Sequence, residues 1–268
     1  MIPRFDRDTS ATRIADNTYA VSVNDGWWVD RGPNGGYLAG IITQALILEV
    51  NDAERQMRSI TVHYLSPPVA GAATVHVHTE RRGRLVQYLT ATMFQGDRMV
   101  AKAFAAFGVS NPTSPTFADP SYPGYPTPAE MEYVTDPPGL SEIRNRYEYL
   151  HVMGAPWDEL GPEAVSGGWL RLREPRPYDA ALITAMCDAW NPPVYARLRN
   201  DVAVPTLDLT VHIRSVAAMQ RLRPDDWVAV RFRSTIAAEG YLEEDGQIWA
   251  PDGTLIAHSR QLAVLLAF

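Results

Sequence analysis

The sequence predicts an α+β chain built from two copies of one design, each a buried helix followed by antiparallel strands. Three observations point there: a helical run that is apolar almost all round, four strand-like segments after it, and the return of the same series in the second half.

The first copy opens on Gly32-Pro33-Asn34-Gly35-Gly36, a cluster of turn residues. Beyond it Leu38, Ile41, Ile42, Ala45, Leu46 and Leu48 recur at helical spacing. The positions between them are mostly small or apolar, and a helix apolar on every side belongs in a core. Residues 59–65 and 73–79 alternate apolar with polar, and 85–94 and 99–109 flank the turn Gln95-Gly96-Asp97-Arg98. A helix followed by a run of strands is an α+β order rather than alternating βαβ.

Residues 110–138 carry prolines at 112, 115, 120, 123, 126, 128, 137 and 138, too many for helix or central strand. They are expected to form an extended linker over the surface. After it Pro177-Tyr178 opens a second helical run through Ala181, Leu182, Ala185, Met186 and Ala189, stopped by Pro192-Pro193. Strand-like segments follow at 205–216, 227–238, 240–250 and 254–266. The repeat is legible in the letters. Ile60-Thr61-Val62-His63 returns as Leu209-Thr210-Val211-His212, an offset of 149 (210 − 61). Met99-Val100-Ala101-Lys102 returns as Leu255-Ile256-Ala257-His258, an offset of 156 (255 − 99). A repeat this long marks a duplicated domain whose copies pack as a pseudo-two-fold pair. The expected division is 1–110, a linker at 111–145, and 146–268.

The 268 residues carry a formal net charge of −7, which disfavours nucleic-acid partners. The single cysteine, Cys187, forbids an internal disulfide and suits a reducing compartment. No apolar stretch is long enough to span a bilayer, and the first residues lack the apolar centre of a secretion signal, so a cytoplasmic protein without a membrane partner is expected.

A long helix wrapped by an antiparallel sheet, present twice, resembles a double hotdog. The chain resembles the acyl-CoA thioesterase II family of such proteins over nearly its whole length. Trp169-Leu170-Arg171 with Glu174-Pro175-Arg176-Pro177 is similar to that family's tryptophan-arginine segment with two prolines before the helix. Asp188 in Cys187-Asp188-Ala189-Trp190-Asn191, Thr206 in Val204-Pro205-Thr206, and Gln261 in the last strand match the family's water-holding trio in type and order. No aromatic residue stands beside Thr206, a local departure. The first copy lacks the trio: by offset Met57, Ala105 and Leu46 stand where Thr206, Gln261 and Asp188 do.

The resemblance implies hydrolysis of an acyl-CoA to free acid and thiol. Asp188 accepts a proton from a water held by Thr206 and Gln261, and the acyl chain runs in an apolar tunnel beside Leu182, Met186 and Trp190. No metal or redox cofactor is implied; coenzyme A enters as part of the substrate, and a homo-oligomer is expected. Two other readings stand beside this one: a non-catalytic acyl-CoA or lipid-binding hotdog, and a hotdog enoyl-CoA hydratase or dehydratase. The second usually places a histidine near the helix, and none lies within residues 178–190.

Gly35 and Gly36 permit a tight turn, and their N–H groups, with that of Tyr37, are candidates for an oxyanion hole. Asp188 sits at the negative end of a helix, where a buried carboxylate needs partners. Thr206 and Gln261 are ordinary residues in exposed strands, so only the trio together carries weight. Cys187 reads as a small buried hydrophobe rather than a nucleophile. No Gly-x-Ser-x-Gly elbow or His-Glu-x-x-His pattern occurs. His63, His76, His78 and His212 read as packing or surface residues, and Glu243-Glu244-Asp245-Gly246 as turn chemistry. Arg171, Arg173, Arg176, Arg197 and Arg199 flank the second helix; each alone reads as a solvated cation, together as a possible phosphate site.

Overall fold

A computed structural model describes the chain apart from residues 1, 30, 31, 112, 119–121, 133–140, 156, 199–201 and 268. Arg199 lies outside the described residues, as do several linker prolines.

In the first half the strands are β1 (Thr12–Ala15), β2 (Thr18–Val23), β3 (Arg55–Tyr64), β4 (Gly71–Arg82), β5 (Val86–Gln95) and β6 (Arg98–Val109). In the second they are β7 (Tyr147–Met153), β8 (Ala164–Leu172), β9 (Thr206–Ile213), β10 (Val228–Ser234), β11 (Tyr241–Trp249) and β12 (Leu255–Val264). They form one continuous sheet in the order β1-β2-β4-β5-β6-β3-β9-β12-β11-β10-β8-β7. The halves read outward from the β3–β9 seam in matching order, which is the two-fold relation the repeat predicts. At the seam the strands run antiparallel with Thr61 opposite Thr210, Ile60 opposite Val211 and Val62 opposite Leu209. The two threonine hydroxyls meet at 2.9 Å. Repeat-equivalent residues touch only on a symmetry axis, so the axis passes between them. The offsets also hold in register: Ala105 pairs with Ile60 as Gln261 pairs with Leu209.

Two helices lie inside the sheet's curve: α1 (Gly35–Val50) and α2 (Ala180–Met186). The first is expected from its apolar run, and its residues from Gly36 to Thr43 are all buried. Asn34 caps its start, accepting from the Tyr37 N–H, and Asn51 ends it in the left-handed region at φ 42°. The second is shorter than its periodicity suggested. It ends at Met186, and Cys187 and Asp188 form the turn beyond it. The helices pack end to start through small residues. A Cβ on Gly36 would lie 2.4 Å from the Ala185 carbonyl oxygen, and one on Gly40 3.4 Å from that of Ala181. One apolar cluster runs through both halves, with Ile41, Ile42 and Leu46 of α1 beside Leu182, Ile183 and Met186 of α2.

The linker packs Tyr125 onto the second half of the sheet. Tyr125 is buried there with Trp169 and Trp249. Its hydroxyl donates to the Val230 carbonyl, and the Trp169 indole donates to that of Pro126. Glu243-Glu244-Asp245-Gly246 is corrected: it lies inside β11, not in a turn. Four strands absent from the sequence reading, β1, β2, β7 and β8, lie before the helices. Their segments are short or, in β8, interrupted by Gly167 and Gly168.

The helix contact predicts a contrast between two glycines. Gly40→Ala has room and removes a flexible residue, so stability stays within about 1 kcal/mol of wild type. Gly36→Ala collides with backbone and costs about 1–3 kcal/mol. Urea unfolding measures both, and equal effects at the two positions would contradict the packing described.

Candidate active site

The start of α1 meets the end of α2, and Asp188 stands at the junction. The α2 dipole opposes a carboxylate there, whereas the α1 start attracts one. The local contacts follow the second influence. The Gly36 N–H donates to Asp188 Oδ2 at 2.8 Å. The Asn34 amide donates to the same oxygen at 2.9 Å and to the Asp188 carbonyl at 2.7 Å. Asn34 therefore works twice, since its Oδ1 accepts from the Tyr37 N–H at 2.9 Å. Tyr64, from the seam strand β3, donates its hydroxyl to the Gly35 carbonyl at 2.7 Å. A Cβ on Gly35 would lie 3.0 Å from Asp188 Oδ2 and 3.1 Å from the Tyr64 ring, so a side chain there would press on both.

The N–H groups of Gly36, Tyr37 and Leu38 in the first α1 turn each have a partner. Gly36 serves Asp188, Tyr37 serves the Asn34 side chain, and Leu38 serves the Asn34 carbonyl, while the Gly35 N–H also lowers the Asp188 pKa. Of the expected oxyanion donors, the Gly36 N–H points to the Asp188 carboxylate and the Tyr37 N–H to the Asn34 side chain.

The rest of the trio comes from β9 and β12. The Thr206 hydroxyl donates to Gln261 Oε1 at 2.9 Å. Gln261, buried, turns its Nε2 to Glu244 Oε1 on β11 at 2.7 Å. The same amide lowers the pKa of Asp188, which joins the two parts into one polar cluster. Asp188 keeps partial solvent access while Glu244 is 6% exposed. Burial pushes Asp188 up to about 6, against the pull of the Gly36 N–H, the Gln261 and Asn34 amides and the Gly35 N–H. Glu244 is pushed up to about 8, by burial first and then by the Asp188 charge, with only the Gln261 amide opposing.

Asn34, Tyr64 and Glu244 were not singled out in the sequence. Asn34 had a signal, an asparagine before Gly-Gly and an apolar run, which is a helix cap. Glu244 had one too. Leu242, Glu244, Gly246 and Ile248 are the buried alternate residues of β11, and a glutamate in that row is buried with them. Tyr64 had none.

Other predicted positions take different roles. In the first copy Met57, Ala105 and Leu46 are all buried and apolar, so no second polar cluster forms at their places. Leu182 and Met186 are wholly packed in the core, and Trp190 packs with Tyr149 and His151. Cys187 is buried and its thiol is pushed up to about 12, mainly by burial, a poor state for a nucleophile. His63, His76, His78 and His212 are exposed. Arg171 pairs with Glu148, and Arg176 bridges Asp6 at 2.8 Å and Asp179 at 2.6 Å, so these cations are committed within the chain. A cavity of about 790 Å³ lies around His212, His258, Gln247 and Arg231, and Asp188, Thr206, Gln261 and Glu244 do not line it. Among the described residues no cluster of His, Cys, Asp and Glu is arranged for a metal ion, and no helix is long and apolar enough to cross a membrane.

The two raised carboxyls make a pH prediction. The folded chain binds more protons than the unfolded one between the ordinary carboxyl range and the raised values. Stability from these groups is therefore complete at low pH and lost as pH rises, through about 6 for Asp188 and about 8 for Glu244. Glu244→Gln is expected to flatten the fall in urea midpoint between about pH 5 and 8. Parallel curves for variant and wild type would show that Glu244 titrates normally.

The family described as acyl-CoA thioesterase N-terminal domain matches residues 24–108, and that described as acyl-CoA thioesterase C-terminal domain matches residues 112–265. A hot dog fold protein of unknown function from Alicyclobacillus acidocaldarius is 26% identical, superposes with a TM-score of 0.92, and is covered completely in both chains. A candidate thioesterase II from Thermobifida fusca is 25% identical with a TM-score of 0.85, covering 98% of each chain. The thioesterase-like protein TwmA of Talaromyces wortmannii is 21% identical over 98% of this chain and 92% of that protein.

Proposed function

The chain belongs to the acyl-CoA thioesterase family, and from that premise we propose that it hydrolyses an acyl thioester, with an acyl-CoA as substrate. The observation that carries the reading is the joining of Asp188, Gln261 and Thr206, from three separate elements, into one cluster with partial solvent access.

Asp188 is the base. Ionised above about pH 6, it has one carboxylate oxygen fixed by the Gly36 N–H and the Asn34 amide. A water beside it, held also by the Thr206 hydroxyl and the Gln261 amide, gives up a proton to Asp188 as its oxygen attacks the thioester carbonyl carbon. The tetrahedral species then expels the thiolate, the C–S bond breaks, and the proton on Asp188 passes to sulfur. The products are the free acid and the thiol, so atoms and charge balance without a redox step. A pKa near 6 suits this duty: the group is charged at neutral pH yet basic enough to take a proton. The coenzyme contributes no chemistry beyond its thiol.

Thiol release from short-, medium- and long-chain acyl-CoAs tests the reading. Wild type is expected to release thiol with kcat/KM falling below about pH 6 as Asp188 protonates. Asp188→Asn keeps the shape and loses the base, so turnover is expected to drop by about 10²–10⁴-fold. Near-normal turnover in that variant rules out the assignment. Tight acyl-CoA binding with no thiol release at any chain length makes the protein a binder instead.

A further inference from the structure

The buried glutamate of β11 has no task in the mechanism above, and its surroundings define one. Glu244 forms no ion pair among the described residues. The groups that bear on it are Asp188 at the end of α2, Gln261 on β12, and Asp245, its outward neighbour, which is bound to Arg260. Tyr64 and Asp208 act on the Asp188 side of the cluster. Among the described residues no cation enters the cluster.

Two carboxyls in one buried site without a cation do not both ionise. The donors decide which one carries the charge. Asp188 accepts from the Gly36 N–H and the Asn34 amide, and the Gln261 amide and Gly35 N–H also favour its charge, while Glu244 accepts from Gln261 alone. Charge belongs on Asp188 and the proton on Glu244.

The second consideration is the Gln261 amide. Its two orientations have almost the same shape, and Thr206 does not choose between them because a hydroxyl both donates and accepts. Ionised Asp188, which only accepts, does choose, drawing the amide N–H groups to the carboxyl side. We propose that Glu244 is a positioning residue of the hydrolytic site: held as the neutral acid, its carbonyl oxygen accepts from Gln261 Nε2 and, together with the acceptor-only carboxylate of Asp188, locks the amide with Oε1 toward Thr206 and its N–H groups toward the carboxyls. Neutrality at Glu244 also keeps a second negative charge away from the place where a thioester oxygen becomes anionic.

The catalytic part of this inference rests on the hydrolytic reading; the protonation and the locking do not. Infrared difference spectra of the whole protein are expected to show a protonated carboxylic acid band at pH 7. The band fades as pH rises through about 8 and is missing in Glu244→Gln. The Gln261 side-chain amide is expected to give one ordered pair of NMR signals in wild type and Glu244→Gln. In Glu244→Leu, which fills the site with an apolar group beside Leu242 and Ile248, the pair is expected to broaden or double. In turnover, Glu244→Leu is expected to lower kcat by roughly ten- to a hundredfold with KM little changed. Glu244→Gln, which keeps the carbonyl acceptor, recovers most of that loss and removes the alkaline limb of the pH profile. No acid band at pH 7, a band that survives Glu244→Gln, or an unchanged Gln261 amide in Glu244→Leu overturns the inference. A dead Asp188→Asn with an unaffected Glu244→Leu overturns the inference alone. An Asp188→Asn variant that still turns over, with the band and amide signals as expected, removes the hydrolytic reading and leaves the locked amide.

Discussion

The structure depends on the crossing of two helix ends. Gly36 lies against the Ala185 carbonyl so closely that no side chain fits, and this brings the free N–H groups of α1 onto a carboxylate at the end of α2. Neither helix supports Asp188 by itself: its own helix presents carbonyls, and burial disfavours the charge. The partner helix supplies the donors. Since the two helices come from the two copies of the repeat, the site exists only because the copies are packed together. The duplication thus has a chemical consequence besides a structural one.

The same symmetry explains why there is one cluster and not two. The seam between β3 and β9 places Thr61 against Thr210, and on either side the sheet repeats the same strand order. A symmetric pair would carry a carboxylate at each helix junction. Here Met57, Ala105 and Leu46 occupy the places of Thr206, Gln261 and Asp188, and all three are buried in apolar contacts. The copies have divided the work. The first contributes a long helix whose start acts as a clamp, and the second contributes the groups being clamped. This division lets α2 be short, because its role is to end at the right place.

Much of the fold was legible because it rests on period. The apolar run of α1, the alternating strands after each helix and the threonine offset all survive into the structure with their partners as expected. The strands before each helix were not legible. β1 and β2 are short, and β8 carries Gly167 and Gly168, which weaken any strand signal. In the proposed site, Asp188, Thr206 and Gln261 were suggested by resemblance alone, since each is an ordinary residue for its element. Glu244 was hidden by its neighbours: Glu243-Glu244-Asp245-Gly246 has the composition of a turn, and only the alternation of β11 separates the buried member from the exposed ones. The role of the Gly35-Gly36 start was open for a different reason. Free donors at a helix start and donors already holding a carboxylate look the same in sequence, and the choice depends on a residue 152 positions away.

The central claim is that Asn34 and the α1 start hold Asp188 in the charged state despite its burial. Carboxyl-carbon NMR titration of Asp188 in wild type and in Asn34→Ala tests it most directly. The account predicts a wild-type midpoint near 6 and a higher one in the variant, which loses an amide donor to the carboxylate. An unchanged midpoint, or a wild-type value in the ordinary aspartate range, would contradict it.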